Sequence, residues 1–214
     1  MGKFVIFDMD GVLVDSEYIF SRVKTAMLRQ RGHDVNESYQ DQFIGMTYEA
    51  EWTIIKRDFN LIEPLADLIA EVKQGCEEVV KKDGVNPIPG VLDLVKRLRA
   101  KGYQLAVASS SPKPDIIRNL KQLGILADFQ TLVSGEEVAY SKPAPDVFLQ
   151  AAQDLGAAPT ACFVFEDSTS GSQAAKAAGM ICIGYANPSY PPQDLTACDL
   201  IIADYKDCYD FLGL

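Results

Sequence analysis

Six short runs, almost wholly apolar and without the alternation of a half-exposed strand, constrain this chain most. They fall at residues 4–7, 104–108, 131–133, 161–165, 181–185 and 200–203. Such runs suit strands covered on both faces, as in a parallel sheet. The later runs are separated by helical patterns at 91–100, 114–123, 146–155 and 168–178, with Gly102, Gly124, Gly156 and Gly179 close behind them. Strand, helix, strand in repetition predicts an α/β fold built on a doubly wound parallel sheet.

One stretch breaks this rhythm. From residue 16 to about 86 no convincing strand occurs, and helical spacing runs through 23–28 and 61–82. Asn86-Pro87-Ile88-Pro89-Gly90 then punctuates the chain. A parallel strand normally returns after a much shorter crossover. Residues 16–85 are therefore expected to form a small inserted all-helical cap. Residues 1–15 and 86–214 would then make up a discontinuous α/β core domain.

The 214 residues carry a formal charge of -10. That balance argues against nucleic acid and anionic membranes as partners. It leaves room for an anionic substrate, because a bound metal can invert the local field. Five cysteines, an odd number with no CxxC pair, read as reduced thiols in a cytoplasmic protein. His33 is the one histidine and has no cysteine near it, which excludes a zinc site of the usual kind. The N-terminal apolar run is too short for a signal peptide or a membrane span. Ile6 stands where a myristoylation signal needs Ser or Thr.

The residues at the strand ends carry the chemistry. Asp8-Met9-Asp10-Gly11 follows the first apolar run. Ligands of parallel α/β sheets bind at the carboxyl ends of the strands. Carboxylates placed there can hold a hard cation or attack as a nucleophile, though the same string also suits a plain turn. Ser109-Ser110-Ser111 ends the second run and offers hydroxyls to a phosphate, or simply caps the next helix. Lys142, in Ser-Lys-Pro, stands before another helix as a point charge suited to phosphate. Glu166-Asp167-Ser168 ends the fourth run, and adjacent carboxylates repel unless a cation or donors compensate. Acidic pair, hydroxyl, lysine and acidic pair, all at strand ends, describe a charge-balanced site for Mg²⁺ and phosphate.

At these residues the chain resembles the haloacid dehalogenase superfamily over essentially its whole length. Residues 7–17 resemble its first motif, Ser109 its second, Lys142 its third, and Glu166-Asp167-Ser168 with Gly171 its fourth. The most similar branch has a helical cap after the first motif and includes sugar-phosphate phosphatases and β-phosphoglucomutase. The resemblance implies that Asp8 is the nucleophile and Asp10 the general acid and base. It implies Mg²⁺ held by Asp8, the Asp10 carbonyl and Asp167, with Glu166 beside them. Ser109, Ser110, Lys142 and Gly11 would bind the phosphate. The implied partner is a small phosphorylated metabolite, and the expected assembly a monomer or weak homodimer. Cap closure would exclude bulk water and select the substrate.

Asp10 favours phosphatase or mutase over a dehalogenase, which needs no such acid. The mutase pattern has a histidine where this chain has Phe20, and an arginine after a Gly-x-Ser/Thr turn where it has Tyr48. Neither residue can relay a proton or clamp a second phosphate. Hydrolysis is therefore the expected reaction. Tyr18, Trp52, Lys56 and Arg57 are further candidates for the cap's substrate face, with packing and solvation as the competing account.

Overall fold

A computed structural model describes residues 3–43 and 48–214. Contacts divide the chain into two units. One comprises residues up to Asp15, Val85–Pro188 and Pro192–Leu214; the other comprises Ser16–Gly84 with Ser189–Pro191. The second boundary falls one residue before the expected position, and a three-residue segment of the distal chain groups with the helical unit.

Among the described residues the first unit carries a parallel sheet of six strands. They are β1 (Phe4–Phe7), β2 (Gln104–Ser109), β3 (Thr131–Ser134), β4 (Cys162–Glu166), β5 (Ile181–Tyr185) and β6 (Leu200–Ile202). Their order is β3-β2-β1-β4-β5-β6, so the winding reverses beside β1. This is the α/β doubly wound architecture expected from the apolar runs. Reversal of strand order opens a crevice at the carboxyl edge, where such sheets bind ligands.

The helices of this unit are α4 (Val91–Ala100), α5 (Lys113–Gln122), α6 (Asp146–Asp154), α7 (Thr169–Ala177) and α8 (Tyr209–Leu212). Side chains of successive strand residues point to opposite faces, and both faces are covered. Val5, Phe7, Leu105, Val107, Phe163 and Phe165 join Leu94, Leu98, Ile116 and Leu120 of α4 and α5. Ile6, Ala106, Ala108, Val164 and Cys182 join Val147, Phe148, Ala174 and Ala175 of α6 and α7. Two-sided burial removes the polar partner from the alternation and explains the unbroken apolar runs. Each large side chain so buried contributes about 1.5–3 kcal/mol.

The second unit holds α1 (Glu17–Gln30), α2 (Tyr48–Asp58) and α3 (Leu65–Asp83), with a 3-10 turn at Glu37–Phe43. Ile19, Val23, Met27, Trp52, Ile55, Leu68 and Val72 are buried there at helical spacing. Gly75 lets α1 and α3 approach, since a Cβ there would lie 2.7 Å from Cγ1 of Val23. The amine of Lys24 pairs with Glu51 in the interior of this unit. None of the helices, among the described residues, is long and apolar enough to cross a membrane.

Candidate active site

The carboxyl edge of the sheet collects the acidic residues because the strands stop in register. Phe7 stands opposite Val107 and Phe165. The β1–β4 ladder continues one residue further, where the Asp8 amide donates to the Phe165 carbonyl at 2.9 Å. Asp8 is thereby fixed at the strand tip. Beyond it the backbone folds back on itself: the amides of Leu13 and Val14 both donate to the Met9 carbonyl, at 2.8 and 2.9 Å. Gly11 sits in that turn at φ +76°, and a Cβ there would lie 1.9 Å from Oδ2 of Asp167. Only glycine satisfies both the angle and the approach.

Lys142 ties the edge together from the loop between β3 and α6, with a cis peptide bond to Pro143. Its ammonium donates to Oδ1 of Asp8 at 2.6 Å, to Oε1 of Glu166 at 2.6 Å and to the Ala108 carbonyl at 3.2 Å. Three donors thus meet three acceptors, which is the capacity of an ammonium. Burial alone would push this lysine down, but the carboxylates of Asp8 and Glu166 outweigh it and hold the ammonium charged.

Glu166 is fully buried and has both oxygens engaged. Its Oε2 accepts from the amides of Asp167 and Ser168 and from the Ser168 hydroxyl, at 3.0, 3.1 and 2.9 Å. Ser168 in turn caps α7 by accepting from the Gly171 amide at 3.0 Å. A Cβ at Gly171 would fall 1.8 Å from Oε1 of Glu166. The first turn of α7 therefore leaves room for the glutamate beneath it.

Asp8, Glu166 and Asp167 each bring a carboxylate oxygen within 4.8 Å of one another. Burial first, then the fields of Glu166 and Asp10, push the Asp8 carboxyl up to about 7 although Lys142 opposes them. One ammonium facing several carboxylates leaves surplus negative charge. Hard oxygen donors in that state fit a divalent cation such as Mg²⁺.

The serine triplet divides three ways. Ser109 ends β2 and is buried, and its hydroxyl accepts from the Ser111 amide at 3.0 Å. Ser110 is exposed. Ser111, not singled out in the sequence, donates its hydroxyl to Oδ2 of Asp10 at 2.6 Å and its carbonyl accepts from Ser134 at 2.7 Å. Asp10 is held by this hydroxyl, and its side chain is not among the three clustered carboxylates.

Within the helical unit the other candidates have neighbours of their own, and Tyr18 is exposed. Phe20 and Tyr48 meet edge to face at 6.2 Å, and Lys73 lies over the Tyr48 ring at 5.5 Å. Trp52 is fully buried. Lys56 donates to the Glu63 carbonyl and Arg57 to Asp58, while His33 packs on Phe59 at 4.8 Å. Gly45, Met46 and Thr47, which precede Tyr48 in the pattern compared with the mutases, lie outside the described residues.

A family model for haloacid dehalogenase-like hydrolases matches residues 5–185. The chain is 32% identical over 213 residues to Protein CbbY of Rhodobacter capsulatus, covering 94% of this chain and 93% of that one. It is 34% identical over 178 residues to the fructose-1-phosphate phosphatase YqaB of Escherichia coli, covering 82% of this chain and 92% of that one. Its fold superposes on a hydrolase of the same family from Deinococcus radiodurans, solved with bound phosphate and sodium. The TM-score is 0.85 at 27% identity, covering 99% of this chain and 95% of that one. Strand order, the residues gathered at the carboxyl edge and these likenesses agree: the chain belongs to the haloacid dehalogenase-like hydrolase family.

Proposed function

We propose that the protein is a Mg²⁺-dependent phosphatase that hydrolyses a small phosphomonoester, a sugar or polyol phosphate, through an aspartyl-phosphate on Asp8. The observation that carries this reading is the Lys142 ammonium bridging Asp8 and Glu166 beside a three-carboxylate cluster at the sheet edge. The sugar-phosphate class is supported by the relative that acts on fructose 1-phosphate.

In this reading an oxygen of Asp8 attacks phosphorus and the alkoxide leaves with a proton from Asp10. Asp10, now a carboxylate, takes a proton from the water that attacks the phosphoryl group, and Asp8 is regenerated. Ser111 fixes Oδ2 of Asp10 through both steps. Lys142 and Ser109 face the charge that develops on the transferring oxygens, the main requirement of phosphoryl transfer. Glu166 anchors Lys142, and Asp8 and Asp167 with the Asp10 carbonyl would hold Mg²⁺. When bound, the cation neutralises charge on the phosphoryl oxygens and favours the ionised form of Asp8. Phe20 and Tyr48, engaged with each other, supply neither the proton relay nor the phosphate clamp of a mutase.

The test is a panel of phosphorylated metabolites scored for released phosphate, with and without Mg²⁺, on the wild type and on Asp8→Asn. The expected result is Mg²⁺-dependent release from sugar or polyol phosphates and a loss of about 10⁴-fold or more in the variant. Near-normal turnover by folded Asp8→Asn overturns the nucleophile. Phosphate transfer between sugar hydroxyls with no net release overturns hydrolysis.

A further inference from the structure

Two cysteines outside the candidate site stand sulfur to sulfur. Cys182 lies within β5 and Cys198 two residues before β6, and their Sγ atoms are 3.3 Å apart. Both are free thiols; Cys182 is fully buried and Cys198 partly reaches solvent. The surrounding backbone fixes the encounter. The Cys182 amide donates to Oδ2 of Asp199 at 2.7 Å, and the Asp199 amide donates to the Cys182 carbonyl at 2.8 Å. Lys176 of α7 grips both oxygens of Asp199, at 2.8 and 2.7 Å. Gly184 leaves the room that Cys198 fills, since a Cβ there would lie 2.8 Å from its sulfur. The other cysteines, Cys76, Cys162 and Cys208, are buried free thiols, and the Cys162 and Cys208 thiols donate to the Ala158 and Tyr205 carbonyls.

We propose that Cys182 and Cys198 form a redox modification site, closed to an intramolecular disulfide by a low-molecular-weight disulfide such as oxidised glutathione. A disulfide needs its sulfurs at about 2.05 Å, so they must close by little more than an ångström. Cys198 is the entry point. It is the accessible thiol, and the hydrogen bond it shares with Cys182 holds its pKa down against the effect of burial. Its thiolate attacks one sulfur of the oxidant, forms a mixed disulfide and expels one thiolate. Cys182 then gives up its proton and attacks the Cys198 sulfur, expelling the second thiolate. Two protein thiols are oxidised, one external disulfide is reduced to two thiols, and the protons pass to the departing thiolates or to solvent. The bond would staple the segment leaving β5. That segment already touches the start of α7, where the Asp194 amide donates to the Thr169 hydroxyl at 3.1 Å.

The experiment incubates the folded full chain with excess oxidised glutathione at about pH 8, a pH at which thiolates are available. Thiols are then counted in denaturant, and digests are mapped by mass. The expected result is loss of two of the five thiols and a peptide pair joined through Cys182 and Cys198, with a higher melting temperature for the oxidised form. Cys182→Ala is expected to stop at a glutathione adduct on Cys198, and Cys198→Ala to keep all its thiols. Retention of five thiols by the wild type overturns the proposal. So does an adduct at Cys198 that never resolves, or a bond involving any other cysteine. These wild-type outcomes decide the matter even if a variant fails to fold.

Discussion

The ammonium of Lys142 stands 2.6 Å from Oδ1 of Asp8, and both side chains are shut away from solvent. That single cation also meets Glu166, so it holds two buried carboxylates apart from each other's repulsion. Breaking a buried pair costs more than the pair contributes, because the charge left behind is neither solvated nor matched. Lys142→Met is expected to destabilise the metal-free protein by about 3–5 kcal/mol in urea titrations near pH 8. In the phosphatase assay it should lose roughly 10²–10³-fold in kcat. Lys142→Arg keeps the charge, but its planar fork does not match three acceptors arranged around an ammonium, and rescue is not expected. A metal-free Lys142→Met protein as stable as the wild type would rule out the bridging role.

The raised Asp8 carboxyl makes stability depend on pH and on Mg²⁺ together. In the unfolded chain this aspartate ionises near its ordinary value of 3.8; in the folded, metal-free chain it keeps its proton up to about 7. Between those values the folded state binds more protons, so stability falls as pH rises. The slope contributed by one such group is at most about 1.4 kcal/mol per pH unit. A cation beside Asp8 reverses the preference. The melting-temperature increment from Mg²⁺ is therefore expected to grow from about pH 5.5 to pH 8, since protons compete for the same oxygen. Asp8→Asn should remove both the decline and much of the increment. Equal increments at both ends of the range would show that Asp8 does not couple to the metal.

Ser111 offers a way to separate the two aspartates. Its hydroxyl touches Asp10 and leaves Asp8 and Lys142 alone. If Asp10 is the acid, Ser111→Ala loosens the proton donor without harming the nucleophile. The expected outcome is a loss of about tenfold or more in kcat for an alkyl phosphate, whose alkoxide needs the proton, and a much smaller loss for p-nitrophenyl phosphate. The melting temperature should change little. Equal losses on both substrates would remove Asp10 from the leaving-group step.

The contrast between Ser111 and Ser110 also shows what the sequence conceals. The six strands are readable because burial on both faces demands apolar side chains at every position, as at Val5, Ile6 and Phe7. Asp8, Lys142 and Glu166 stand out because charged residues at the ends of such runs need a reason. A run of three serines carries no mark of which hydroxyl points where. The strand end decides it: β2 stops at Ser109, so Ser110 turns to solvent and Ser111 returns towards Asp10. The adjacent acids are as mute about their division of labour. Glu166 turns inward beneath Gly171, whereas Asp167 approaches Gly11. In the helical unit the sequence leaves open whether Phe20, Tyr48 and Trp52 face a substrate or pack; of the three, only Trp52 is fully buried.

The pair of Lys24 and Glu51 was hidden for the same reason, and it makes the helical unit testable by itself. Both side chains are almost fully buried between α1 and α2, and burial pushes the Glu51 carboxyl up even though Lys24 opposes it. That direction means desolvation outweighs the attraction, so the pair adds little net stability. Removing one partner is different, because an unmatched charge is left in the interior of the helical unit. Lys24→Met and Glu51→Leu are each expected to cost about 3–5 kcal/mol, while the double variant should lie within about 1–2 kcal/mol of the wild type or above it. A double-mutant cycle by urea denaturation reads this directly. Single losses that simply add in the double variant would mean that the two residues act independently, and the buried ion pair would have to be abandoned.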